Sequence, residues 1–146
     1  MQLRKAEKRF KLTTRDYTRL AAFRLALRGF LHFSEGVAAA AGLAAQHYQA
    51  MLILRACPDD ASVTIGDLAH QLLIKHNSAV GLVDRLAEGR LIVRVPSKTD
   101  RRKVDLRLTP RGRRVLAKLA ETHRCELQRI GPVLEGFFAE LSRTQR

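Results

Sequence analysis

The stretch Thr64–Gly112, TIGDLAHQLLIKHNSAVGLVDRLAEGRLIVRVPSKTDRRKVDLRLTPRG, decides the fold. It opens on Thr64 with Asp67 three residues later, a capping box in which Asp stands for the usual Glu or Gln. The short helix that follows turns Leu68, Ala69 and Leu72 inward and ends near Leu73. A few residues further, His76–Glu88 is amphipathic again: Ala79, Val80, Val83 and Leu86 share a face, and Asn77, Ser78, Gly81 and Asp84 lie largely elsewhere. Two short helices across a tight turn form the helix-turn-helix pattern. The second starts weakly, because Lys75 sits where Ser, Thr or Asp caps best.

After Gly89 the apolar period changes from 3.6 to 2. Leu91, Val93 and Val95 alternate with Ile92 and Arg94, and Val104, Leu106 and Leu108 alternate with Lys103, Asp105 and Arg107. Two strands of a hairpin are expected, joined by Pro96–Arg102, a connection too long for a tight turn. That loop carries Lys98, Arg101 and Arg102 and should project as a basic wing. Thr109-Pro110 then supplies an N-cap and a first-turn proline for a long helix through Val115, Leu116, Leu119 and Leu127 to about Ile130. Gly131-Pro132 is read as its break, with Val133–Leu141 as a last amphipathic helix.

Upstream, Leu20, Phe23, Leu27, Phe30 and Leu31 form one stripe of a helix from Asp16 to about Ala41, with Gly42 as its stop. A second helix spans Ala45 to about Ala56 and is ended by Pro58. The residues before Thr14 are basic and lack apolar periodicity, which suggests an arm.

The 146 residues suit a single domain. Lys and Arg number 27 against 14 acidic residues, for a formal charge of +13, which favours a polyanionic partner: nucleic acid first, an anionic membrane surface as the alternative. No apolar run approaches a membrane span and no signal peptide is evident, so a cytoplasmic protein is expected. Cys57 and Cys125 are far apart and form no CxxC, so neither a disulfide framework nor a metal site is indicated. No nucleophile elbow, HExxH, phosphate loop or dinucleotide fingerprint is present; a non-enzyme without cofactor is expected.

The pattern of LA at 68–69, DRL at 84–86, LIVR at 91–94, DRR at 100–102 and LTPRG at 108–112 resembles the MarR family of winged helix-turn-helix regulators. The resemblance runs from about Asp16 to Leu141. It departs at Arg90, where the family places Gly directly before the strand, and at Ala44, where a Thr cap is usual. The implied fold is mainly α (α+β), a winged helix-turn-helix with a two-stranded wing and long N- and C-terminal dimerisation helices. In this scheme 16–56 and 110–146 are dimerisation helices and 57–109 is the DNA-binding lobe of one domain. The implied function is a homodimeric regulator of a pseudo-palindromic double-stranded operator, a repressor released by a small-molecule effector. A purely intramolecular helical core is the alternative to the dimer, and redox- or metal-responsive and architectural DNA binding are the alternative functions.

Residues at the start of a recognition helix meet base edges, which points to His76, Asn77, Ser78 and Gly81. Asn77 can pair bidentately with adenine, and Ser78 and His76 suit base or phosphate contacts. For the wing, the resemblance implies that Asp100 holds a basic side chain by an ion pair while Arg102 enters the minor groove. Lys98, Arg101 and Lys103 would add phosphate contacts. The resemblance also implies an effector site, for which Tyr17, Arg24, His32, His47 and Tyr48 are the candidates.

Overall fold

A computed structural model describes residues 12–143; the basic arm read from the sequence lies mostly outside the described residues. The elements are α1 (Thr14–Ala40), α2 (Ala45–Ala56), α3 (Ile65–Leu72), α4 (His76–Glu88), β1 (Ile92–Pro96), β2 (Val104–Leu108) and α5 (Pro110–Arg143). They divide into two compact units, one of residues 12–33 with 126–143 and one of 34–125.

In the first unit, α1 begins at Thr14, two residues before the Asp16 start read from the sequence, and it opens on a capping box. The Thr13 N–H donates to Asp16 Oδ2 at 2.8 Å, and the Asp16 N–H donates to Thr13 Oγ1 at 3.3 Å. The Thr13 N–H and the Thr13 hydroxyl, both donating to Asp16 Oδ2, hold that carboxyl below its ordinary range. Phe23 meets Phe137 and Phe138 edge-on at 5.7 and 5.9 Å, and Arg19 pairs with Glu140 at 2.9 Å. Many apolar side chains nevertheless stay uncovered: Leu20, Leu31, Val133, Phe138 and Leu141 are each at least half exposed.

The expected break at Gly131-Pro132 does not occur, and α5 runs unbroken for 34 residues with Pro132 inside it. Proline in a helix interior removes one hydrogen bond and costs about 3 kcal/mol. The carbonyl it orphans belongs to Gln128, and both residues are exposed, so water can satisfy that oxygen. The apolar stripe continues through the proline to Phe137, whose packing on Phe23 favours the uninterrupted helix.

The second unit has its own core. Tyr48, Met51 and Leu54 of α2, Leu68 of α3, Leu82, Val83 and Leu86 of α4, Ile92 and Leu106 of the strands, and Leu116 and Leu119 of α5 pack together. On α4 it is Leu82 that is buried, with Val80 at the margin, a small rotation from the expected face. A polar joint completes the core. His123 Nε2 lies 2.8 Å from Ser34 Oγ, its Nδ1 lies 2.7 Å from the Leu119 carbonyl, and Tyr48 stacks on its ring at 4.0 Å. The carbonyl can only accept, so Nδ1 carries the proton.

Three helices of this unit end the same way. An N–H two or three places past the helix bonds five residues back, the N–H before it bonds within that span, and the residue carrying that second N–H is left-handed, which is the Schellman arrangement. At α1, Leu43 bonds Ala38 and Gly42 bonds Ala39, with Gly42 at φ +74°. At α3, Ile74 bonds Ala69 and Leu73 bonds His70; at α4, Leu91 bonds Leu86 and Arg90 bonds Ala87. Glycine serves only the first. Leu73 takes φ +55° and Arg90 φ +57°, each against a steric cost of roughly 1–2 kcal/mol for a side-chain-bearing residue. Gly89 remains helical at φ −73°, so the residue before the strand does the left-handed work even though it is arginine.

The two strands pair antiparallel in the register Ile92↔Leu108 to Pro96↔Val104. The simple alternation expected of them fails in part, because Val93 and Val104 are exposed and Asp105 is buried. Asp105 accepts a hydrogen bond from Ser62 Oγ and lies near Arg107, and the Leu106 N–H donates to the Val63 carbonyl at 2.9 Å. The segment ahead of α3 thus anchors the wing base.

Candidate nucleic-acid interface

The capping box at Thr64 sets the entry to the motif: the Thr64 N–H donates to Asp67 Oδ2 at 2.8 Å, and the Asp67 N–H donates to Thr64 Oγ1 at 3.2 Å. Helix α3 buries Leu68 and Ala69, and a turn through Leu73–Lys75 leads into α4. Lys75 gives α4 no side-chain cap, as its chemistry suggested. His76, Asn77, Ser78 and Gly81 are all exposed, and none of the first three side chains makes a hydrogen bond or ion pair among the described residues. A Cβ on Gly81 would meet nothing within 4 Å, so the middle of this helix face is open.

Asp84, on the exposed side of α4, forms an ion pair with Arg94 on β1 and ties the helix to the wing. Neither residue signals this pair locally, since ten residues and a change of element separate the partners. The wing loop is ordered by two side chains. Buried Ser97 receives the Thr99 and Asp100 N–H groups at 3.4 Å, and its own N–H donates to the Lys103 carbonyl at 3.1 Å. Asp100 Oδ1 accepts the Arg102 N–H at 3.0 Å. Where an ion pair from Asp100 was expected, its carboxylate instead closes the turn that presents Arg102, an Asx turn formed because the backbone N–H is nearer than any guanidinium. Lys98, Arg101, Arg102 and Lys103 are exposed around it, and none makes an ion pair among the described residues.

The effector candidates divide between the units. Tyr17, Arg24 and His32 are exposed in the first. His47 and Tyr48 are buried in the second, where Tyr48 is committed to its stack on His123. A polar cavity of about 400 Å³ in the first unit is lined by Thr13, Arg15, Asp16, Arg19, Glu140 and Arg143 and includes none of the five. Among the thiols, Cys57 is half-buried and Cys125 exposed.

His47 also replaces the cap that Ala44 lacks. The Ala44 N–H donates to His47 Nδ1 at 2.9 Å, the reciprocal half of a capping box. Accepting that bond requires an unprotonated Nδ1, and burial, with Arg85 nearby, pushes the imidazole below its ordinary pKa. Well above about pH 6.5 the ring is neutral both folded and unfolded. Below that, the unfolded chain takes up a proton that the folded chain resists, so stability falls until the folded pKa is passed. Glutamine at the same position can accept the Ala44 N–H without titrating. Denaturant melts at pH 7.5 and 5.5 should therefore show a larger acid loss for wild type than for His47→Gln, and equal losses would remove His47 as the source.

A capped helix, a tight turn, an exposed second helix and a two-stranded basic wing on one compact unit define a winged helix-turn-helix protein. The MarR family model matches residues 41–103. It is 32% identical over 69 residues to the HTH-type transcriptional regulator FarR of Neisseria gonorrhoeae, an alignment covering 47% of each protein, so the chain spans about half the length of this relative. Its fold is similar to that of AbsC, a MarR family transcriptional regulator from Streptomyces coelicolor, with a TM-score of 0.73 at 20% identity over 94% of this chain and 93% of the other. A similar likeness holds for a variant of MepR from S. aureus bound to an oligodeoxyribonucleotide, with a TM-score of 0.65 at 18% identity over 92% and 97%.

Among the described residues no single helix is long and apolar enough to cross a membrane.

Proposed function

We propose that this chain is a cytoplasmic, non-enzymatic regulator of transcription that binds double-stranded DNA sequence-specifically as a homodimer. The observation that carries this reading is the pairing, within one unit, of an unengaged polar helix face at His76, Asn77, Ser78 and Gly81 with a basic wing turned by Asp100. The face offers donors and acceptors suited to base edges, and the wing offers cations suited to phosphates and a narrow minor groove. The MepR variant solved with an oligodeoxyribonucleotide supports the same use of this fold.

The dimer rests on the uncovered stripes of α1 and α5. Leu31, Val133, Phe138 and Leu141 are each more than half exposed, an apolar surface that a second copy would cover. In this reading 16–56 and 110–146 hold the dimer, 57–109 forms the DNA-binding lobe, and an operator of two half-sites follows from the two-fold axis. Repression relieved by a small effector that biases the spacing of the two recognition helices completes the proposal.

Selection of bound duplexes from a random-sequence pool by the purified protein tests it. Enrichment of an inverted repeat with half-sites about one helical turn apart is expected, bound at least about 10³-fold more tightly than random duplex. A specific-to-random ratio near unity would leave an architectural DNA binder.

A further inference from the structure

Leu73 carries two unfavourable features at one residue. Its backbone is left-handed at φ +55°, and its side chain is 90% exposed, the most exposed large apolar group among the described residues. Glycine would relieve both at once, and asparagine would relieve most of each. The leucine is not needed to end α3, because that task is done by backbone groups, the Leu73 and Ile74 N–H groups bonding to His70 and Ala69. Nor does it serve the core, which Ile74 supports instead. A side chain kept at a double disadvantage, unused by the free protein, points to a partner.

Its place says which partner. Leu73 precedes His76, the first residue of α4, by three positions, and Lys75, His76, Asn77 and Ser78 that follow it are all exposed. Arg90, the other non-glycine residue with left-handed backbone among the described residues, lies just past the opposite end of the same helix, so both strained positions bracket α4.

We propose that Leu73 is an apolar base-reading residue that packs against the 5-methyl group of a thymine in each half-site, an inference that rests on the DNA-reading function above. The methyl is the apolar feature by which the major groove distinguishes thymine, and a branched aliphatic side chain is its complement. Burial of the leucine on DNA supplies in the complex what the free protein forgoes.

The test uses the full chain and a duplex selected from the random pool, with its thymines replaced one at a time by deoxyuridine, which removes only the methyl. At one thymine per half-site, the replacement should weaken wild type about fourfold, the effect of exposing one methyl-sized apolar group. Leu73→Asn and Leu73→Gly should melt a few degrees higher than wild type, bind the thymine duplex several-fold more weakly, and bind the thymine and deoxyuridine duplexes equally. If both variants bind the selected duplex as wild type does, or the deoxyuridine penalty persists at every position in their absence of leucine, the assignment of Leu73 is wrong while the DNA-reading function stands. If wild type enriches no sequence from the pool, that function fails and takes this inference with it.

Discussion

Replacing Gly112 by alanine is expected to lower stability by about 3 kcal/mol or more and the melting temperature by roughly 10 °C. Gly112 lies in the first turn of α5, where its N–H donates to Thr109 Oγ1 at 2.9 Å. A Cβ placed there would sit 2.0 Å from the Leu91 carbonyl oxygen and 2.9 Å from its carbon. Both are backbone atoms, so no rotamer change relieves the overlap. The same oxygen accepts the Thr109 N–H at 3.0 Å and the Thr109 hydroxyl at 3.2 Å. Making room for a methyl group means prising the start of α5 from the base of the wing and breaking those bonds. Alanine is the better helix former by about 1 kcal/mol, so the clash must exceed that gain, and at 2.0 Å it does. Gly81→Ala is the matched control. With nothing within 4 Å of its Cβ, it should stabilise by about 0.4–1 kcal/mol. Thermal melts followed by circular dichroism decide the matter, and a Gly112→Ala protein melting within about 2 °C of wild type would refute the packing argument.

The contrast between those glycines shows what a sequence can and cannot display. Both are single residues in helices, and only the position of the Leu91 carbonyl, 21 residues away in the chain, separates an obligatory glycine from a replaceable one. Local signals were legible: Thr64 with Asp67, Thr109 with Pro110, and the change of period after Gly89 rest on neighbours within a few residues, and they give the order of elements. The helix ends were less so, because the Schellman arrangement is recognised by glycine, and Leu73 and Arg90 adopt it without one. Pro132 misled for a related reason: the penalty of a helical proline is a local quantity, whereas the packing of Phe137 on Phe23 that outweighs it joins residues far apart in sequence.

For the site, the exposed residues of α4 and the wing follow from periodicity and charge. The roles of Ser97, Asp100 and the Asp84–Arg94 pair do not, since each depends on which backbone or side-chain group the folded loop brings within 3 or 4 Å. Asp105 reads as an outward strand residue and is buried because Ser62, far upstream, supplies its partner. His47 and Tyr48, named from the sequence as effector candidates, form a cap and a core stack, which takes them off the free surface.

Arg102 is the residue whose loss should cost most in DNA binding. Its N–H is fixed by Asp100 Oδ1, the loop behind it is pinned by buried Ser97, and its side chain is exposed at the turn without an ion pair among the described residues. Such a guanidinium is presented rather than merely solvated: the ordering of its backbone is complete before DNA arrives, so less of the contact energy is lost on binding. In a narrow A·T-rich minor groove, the negative potential concentrates where this side chain would enter. Arg102→Ala should weaken binding to the selected duplex by about 1–3 kcal/mol, roughly 5- to 150-fold, and reduce the slope of log K against log salt by about 0.9 or less. Arg102→Lys should keep the slope while losing part of the affinity, because an ammonium preserves the charge without the planar fork. Asp100→Ala, which leaves every cation in place and frees the turn, should lower affinity with the slope unchanged. Titrations at several salt concentrations read all three. If Arg102→Ala matches wild type in both affinity and slope, the wing does not engage DNA, and recognition falls to α4 alone.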